Sequence, residues 1–245
     1  MTSPGVSQSS PLLVSFSGID GSGKSTQIEK LCVRLSDAGL LVSRLAFWDD
    51  VVAFSGFRAG LSHRFLQSEG GVGTPEKPVR RNDKNVRNWY MSAARSGLYV
   101  LDAVRLRHVV TKAKRLKPEV LVFDRYIFDQ LATLPLEHAM ARTYAQFILN
   151  LVPRPDIAYL LDADPEAARA RKPEYPLEFL HQYRASYRCL EKMAGMTMMP
   201  ALNVDEVHNA IMLRFESASG LKFPAADLES IRGDAYLPLR ATLRF

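Results

Sequence analysis

The segment LLVSFSGIDGSGKST, Leu12 to Thr26, constrains this chain more than any other stretch. The apolar run LLVSF reads as a buried strand. A glycine-rich turn follows at once, then a helical pattern from Lys24 to Ala38, with Ile28, Leu31, Cys32 and Leu35 at i, i+3, i+4 and i+7 and Gly39 as its stop. Within the turn, Gly18, Gly23, Lys24 and Ser25 meet the pattern G-x-x-x-x-G-K-[ST], and each residue type has a physical reason. Glycines let backbone N–H groups turn inward, and the helix start adds the positive end of its dipole. Lys24 supplies a cation for the β- and γ-phosphates of a nucleotide, and the Ser25 hydroxyl suits a magnesium ion. Gly18, Asp20, Gly21, Ser22, Gly23, Lys24, Ser25 and Thr26 are therefore the candidate contacts of a nucleotide-binding loop.

The remaining pattern alternates strands with helices. LLVSRLAF (40–47), EVLVFD (119–124), DIAYLLD (156–162) and TMMPAL (197–202) read as strands. Helical patterns run over 84–116, 137–151 and 178–193, and Asp164-Pro165-Glu166 opens another. Asn203 with Glu206 forms a capping box for a last helix. Such alternation implies a parallel sheet covered on both faces. Residues 1–11, rich in Ser and Pro, read as a disordered tail, and EGGVGTPEKP as mobile loop. The tail from 217 to 245 fits no element and has no functional reading.

Two further stretches carry chemistry. In VFDRY (122–126), Asp124 at a strand end beside the loop is placed to order magnesium, and Arg125 has the planar fork that grips a phosphate. A plain ion pair is the alternative for this dipeptide. In ADPEAARARKPEYP (163–176), Arg169, Arg171 and Lys172 bunch near a turn bounded by prolines. They read either as an exposed helix end, where cations are favoured, or as a lid that neutralises charge on transferring phosphates.

Composition narrows the rest. A net charge of +6 admits nucleic acid as a partner, yet the basic clusters at 80–87 and 105–117 come with no nucleic-acid-binding motif. The second lies on a long helix and reads as a solvated face. No apolar run approaches the ~20 residues needed to span a bilayer, so no membrane is expected. Only Cys32 and Cys189 are present, which suits a reducing compartment, and a cytoplasmic location is expected. Cys32, on the apolar side of its helix, reads as a buried thiol.

In order and spacing, GIDGSGKSTQ, YMSAARSGLYVLDAV, FDRY and PDIAYLLDADPEAARAR resemble thymidylate kinase over about residues 12–215. The resemblance implies an α/β, three-layer P-loop NTPase fold: a five-stranded parallel sheet flanked by helices, with a short basic lid at about 165–178 and a kinase domain over 12–216. It implies ATP and Mg2+ as cofactors, small nucleotides as substrates and a possible homodimer. By residue it gives Lys24 and Ser25 to ATP and magnesium, Asp20 to the acceptor's sugar hydroxyl, Arg125 to the acceptor phosphate and Arg95 to the base edge. Gly21 stands where one type of the family carries arginine, so Arg169, Arg171 and Lys172 of the lid are the expected catalytic cations. Several acceptor positions depart from the pattern. Met91 replaces the aromatic that stacks on thymine, Thr133 replaces an aromatic, and Asp129 replaces a serine. WDDVVAFSGFR puts Asp49 and Asp50 where an arginine grip on phosphate is usual, with Arg58 nearby. The leading expectation is phosphoryl transfer from ATP to a nucleoside monophosphate, dTMP first. A kinase acting on a nucleoside or other small alcohol, with Asp49 or Asp50 orienting the hydroxyl, is the alternative. An ATPase or switch without a small acceptor is the third.

Overall fold

The computed structural model of the chain describes residues 10–52 and 89–223, with side chains from residue 97 onward in the second stretch. Residues 1–9 of the tail expected at 1–11, the EGGVGTPEKP loop, Arg58, the basic cluster at 80–87 and residues 224–245 lie outside the described residues. So do the side chains of Met91 and Arg95.

Five strands form one parallel sheet: β1 (Leu12–Ser17), β2 (Val42–Ala46), β3 (Val120–Asp124), β4 (Ile157–Leu161) and β5 (Thr197–Met199). Their order across the sheet is β2-β3-β1-β4-β5. The helices are α1 (Lys24–Asp37), α2 (Trp89–Arg115), α3 (Ile127–Leu131), α4 (Ala139–Leu151), α5 (Pro165–Arg171), α6 (Leu177–Ala194) and α7 (Val204–Ser219). A π-helical turn, Phe47–Val51, follows β2.

Successive strand residues face opposite sides, and the core divides accordingly. Val14, Phe16, Val122, Tyr159 and Leu161 face α1 and α7, meeting Ile28, Leu31, Leu35, Ile211 and Phe215. Leu13, Leu121, Phe123, Ala158 and Leu160 face the other way, onto α2, α3, α4 and α6. Strands buried on both faces explain why β1, β3 and β4 read as mainly apolar runs, with buried Ser15 and Ser17 the exceptions in β1. The three-layer α/β architecture expected from the sequence is present.

Local signals explain most boundaries. Gly39, at φ 82°, ends the turn after α1. Asp164 caps α5 by accepting from Ala167 N (3.1 Å). Asn203 accepts from Asp205 N (3.1 Å) and Glu206 N (2.9 Å) at the start of α7. Two elements escaped the sequence reading: α3 and the π-helical turn, each five residues long. Too short to show a period, they are fixed by tertiary contacts. Helix α7 also runs past residue 216 to Ser219, and Leu221 and Phe223 pack against the α1–α7 core. Cys32 is buried, and burial pushes its thiol up to about 11, as an inert core residue.

Candidate active site

In an open parallel sheet, ligands bind beyond the carboxyl ends of the strands, where neighbouring strands send their chains to opposite faces. Here β1 leads to α1 on one face while its neighbour β3 leads to α3 on the other. The loop 18–23, the 124–129 turn and α5 meet there. Of the expected site residues, Gly18 to Gly23 lie in the loop, Lys24, Ser25 and Thr26 at the start of α1, Asp124 and Arg125 at the end of β3, and Arg169, Arg171 and Lys172 on or just beyond α5.

The loop wraps the Lys24 side chain. Its ammonium donates to the carbonyls of Gly18 (2.9 Å) and Ile19 (2.8 Å) and reaches Ser22 Oγ at 3.4 Å. Burial, with Arg125 nearby, pulls the Lys24 pKa down to about 8. Ser25 and Thr26 lie exposed at the helix start. Gly21, at φ 83°, has no room for a side chain: a Cβ would sit 2.4 Å from the Ala168 carbonyl oxygen of α5. The segment expected to be the lid therefore rests directly on the loop.

Arg125 has a left-handed backbone, φ 67°, uncommon for a non-glycine residue, and its N–H donates to Phe16 O (3.0 Å). Its guanidinium forms ion pairs with Asp20 of the loop and with Asp129, at 2.9 Å from Nη1. Burial alone would lower the Arg125 pKa, but Asp129 and Asp20 outweigh it and hold the group charged, well above its ordinary value. Lys172, beyond α5, approaches the same Asp20 oxygen at 3.9 Å and pairs with Glu174 at 3.1 Å. Arg169 is half-buried; Arg171 is exposed and donates to Ala167 O of its own helix (3.2 Å). Asp124 accepts from Arg44 Nη2 of β2 (2.9 Å), so the ion-pair alternative for the Asp124-Arg125 dipeptide is part of the geometry.

The acidic pair on the π-helical turn divides. Asp50 accepts from Ala46 N (2.6 Å) and so closes its own turn, whereas Asp49 is exposed. Thr133 Oγ1 meets Tyr99 OH at 2.9 Å, an aromatic supplied by α2 instead of by position 133. Next to it, Gln130 Nε2 donates to the buried Asp102 (2.7 Å).

Sequence reasoning missed the supports. Asp129 accepts from Ser17 Oγ (2.6 Å) and Tyr187 OH (2.8 Å) as well as Arg125. Asp162, at the end of β4, takes a two-toothed grip from Arg184 (2.6 and 2.7 Å) and a third bond from Arg188 (3.1 Å). Burial works against the Asp162 charge, yet these hydrogen bonds bring its carboxyl below the usual range. Helical spacing of Arg184 and Arg188 was the available signal, but nothing local named their partner.

No metal-binding group of three or more His, Cys, Asp or Glu occurs among the described residues. Magnesium needs no such cage, because it keeps waters and takes phosphate oxygens with one or two protein oxygens. The Ser25 hydroxyl and the partly exposed Asp124 carboxylate are oxygen donors of the fitting kind. Among the described residues, no helix is long and apolar enough to cross a membrane.

No family model matches the chain. Among curated proteins, the thymidylate kinase of Solidesulfovibrio magneticus is 28% identical over 201 residues, 73% of this chain and 85% of its own. The probable thymidylate kinase of Methanocaldococcus jannaschii is 24% identical over 207 residues, 82% of this chain and 94% of its own. A crystal structure of thymidylate kinase from Ehrlichia chaffeensis matches with a TM-score of 0.54 at 15% identity, over 85% of this chain and 99% of that one. At that identity the likeness speaks for the fold alone.

Proposed function

We propose that this chain, a divergent thymidylate kinase-like enzyme, transfers the terminal phosphoryl group of ATP to a nucleoside monophosphate, with dTMP the first candidate. One observation carries the proposal: Lys24, Arg125 and Lys172 converge on the phosphate loop through its carbonyls and its Asp20 carboxylate. Three cations from separate elements, held at one place by groups of the loop itself, form a receptacle for polyanions.

Lys24 leaves the Gly18 and Ile19 carbonyls for the β- and γ-phosphates when ATP enters the loop. Arg125 passes from Asp20 to the acceptor phosphate, and Asp20 is released toward the acceptor's sugar hydroxyl. Arg169, Arg171 and Lys172 supply the positive charge that meets charge developing during in-line transfer. Ser25 and Asp124 would hold magnesium, which when bound would neutralise phosphate charge. No general base is required, because an acceptor phosphate is already a nucleophile. Asp50 is engaged in closing its turn, which weighs against it as the group that orients a hydroxyl acceptor.

The test is ADP release from ATP and Mg2+ across nucleoside monophosphates and free nucleosides. Strong stimulation by dTMP is expected. Stimulation by thymidine alone would move the chain to the hydroxyl-acceptor class, and hydrolysis indifferent to any acceptor would make it an ATPase.

A further inference from the structure

Asp129 is fully buried, with 0% of its side chain exposed. Each of its carboxylate oxygens receives two donors. Oδ2 takes Ser17 Oγ (2.6 Å) and Tyr126 N (3.2 Å); Oδ1 takes Arg125 Nη1 (2.9 Å) and Tyr187 OH (2.8 Å). The residue's own carbonyl accepts from Tyr183 OH at 2.7 Å. Donors from β1, from the turn before α3 and from α6 thus fix one carboxylate in place. Asp20, the second partner of Arg125, sits in the phosphate loop and shares its oxygen with Lys172 of the neighbouring segment.

The two carboxylates therefore differ in kind, one fixed within the core and one in the loop, shared between two cations. Burying a carboxylate costs several kcal/mol unless it is paired and its oxygens are satisfied. Serine, expected here from the thymidylate kinase resemblance, would carry no such cost. We propose that Asp129 is a positioning residue: it holds the Nη1 side of the Arg125 guanidinium so that the Nη2 side, now on Asp20, is the one handed to the acceptor's phosphate. The inference rests on the proposed function. It adds that the orientation of Arg125, and with it acceptor affinity, is set by a residue that touches neither substrate.

Asp129→Asn keeps the shape and removes the charge. In steady-state kinetics it should raise the KM for dTMP at least tenfold and leave the KM for ATP within about twofold. A residue that only supported the fold would move both KM values together, and that result, or an unchanged KM for dTMP, overturns the inference. Should Asp129→Asn not fold, Ser17→Ala decides: it keeps the carboxylate and removes one donor. A three- to fivefold rise in the dTMP KM alone is expected, and no rise overturns the proposal. A wild-type enzyme that turns over no monophosphate overturns both the proposed function and this inference. Monophosphate turnover with Asp129→Asn unmoved overturns this inference alone.

Discussion

Lys24 has two demands on it that oppose each other. The loop buries its ammonium against two carbonyls, and the proposed chemistry asks it to meet phosphate. Below about pH 8 the group is charged in folded and unfolded states alike, so the native protein bears the full cost of burying it. Between about 8 and the ordinary 10.5 the folded protein gives up a proton that the unfolded chain keeps. Stability therefore rises with pH through that window relative to Lys24→Met, which has no proton to lose. Urea melts of the two proteins at pH 7.5 and 9.5 should show their stability difference shifting in favour of the wild type, and a constant difference would contradict the burial argument. The same variant should lose roughly a hundred- to thousandfold in turnover, the scale of removing one preorganised charge-stabilising donor. Near-normal turnover would take Lys24 out of the chemistry. Lys24 was legible in the sequence because every residue of the cradle lies within a few positions of it. Asp129 was seen only as a departure, because Ser17 and Tyr187 meet it from 112 and 58 positions away.

The expected lid was legible as an element for a similar reason: Asp164, Pro165 and the following cations mark α5 within a dozen residues. Its contact with the loop was not, because Gly21 and Ala168 meet only through the fold. That contact gives Gly21 a meaning beyond its φ angle. The glycine leaves space for the α5 backbone, and the segment that carries Arg169 and Arg171 lies against the loop. Gly21→Ala would drive its Cβ into the Ala168 carbonyl, so α5 must move away. Turnover should fall at least tenfold, with a smaller loss in ATP affinity measured by titration calorimetry. Equal losses would show that the loop, not the placement of α5, was damaged. Replacing Arg169 and Arg171 together by Ala should likewise depress kcat far more than it raises the KM for ATP. An unchanged kcat would return both residues to the status of an exposed helix end.

At the level of the whole molecule, alternation of residues along β1, β3 and β4 divides the interior into two cores, one on each face of the sheet. The parallel sheet with helices on both faces followed from strand–helix alternation, whereas the strand order was not read from the sequence. Nor was the end of the last helix, because Ser217 to Phe223 lacks a period and gains its place through contact. Gly220 caps α7 in the left-handed conformation, and Phe223 N–H donates to Glu216 Oε1 (3.1 Å). The Phe223 ring lies 6.0 Å, centroid to centroid, from the buried Phe215. This closing turn covers the α1–α7 core, on the far side of the sheet from Asp129 and Arg125. Phe223→Ala should therefore lower unfolding stability by about 1–2 kcal/mol, the loss of a partly buried aromatic contact. For a chain of this size that is a drop in Tm of roughly 3–6 °C. The KM values for ATP and acceptor should stay where they are, since Phe223 makes its contacts with Glu216 and Phe215 at the far end of α7. Thermal melts beside steady-state kinetics separate the outcomes: an unshifted Tm means the turn adds nothing to the core, and shifted KM values mean that the two cores are coupled through the sheet.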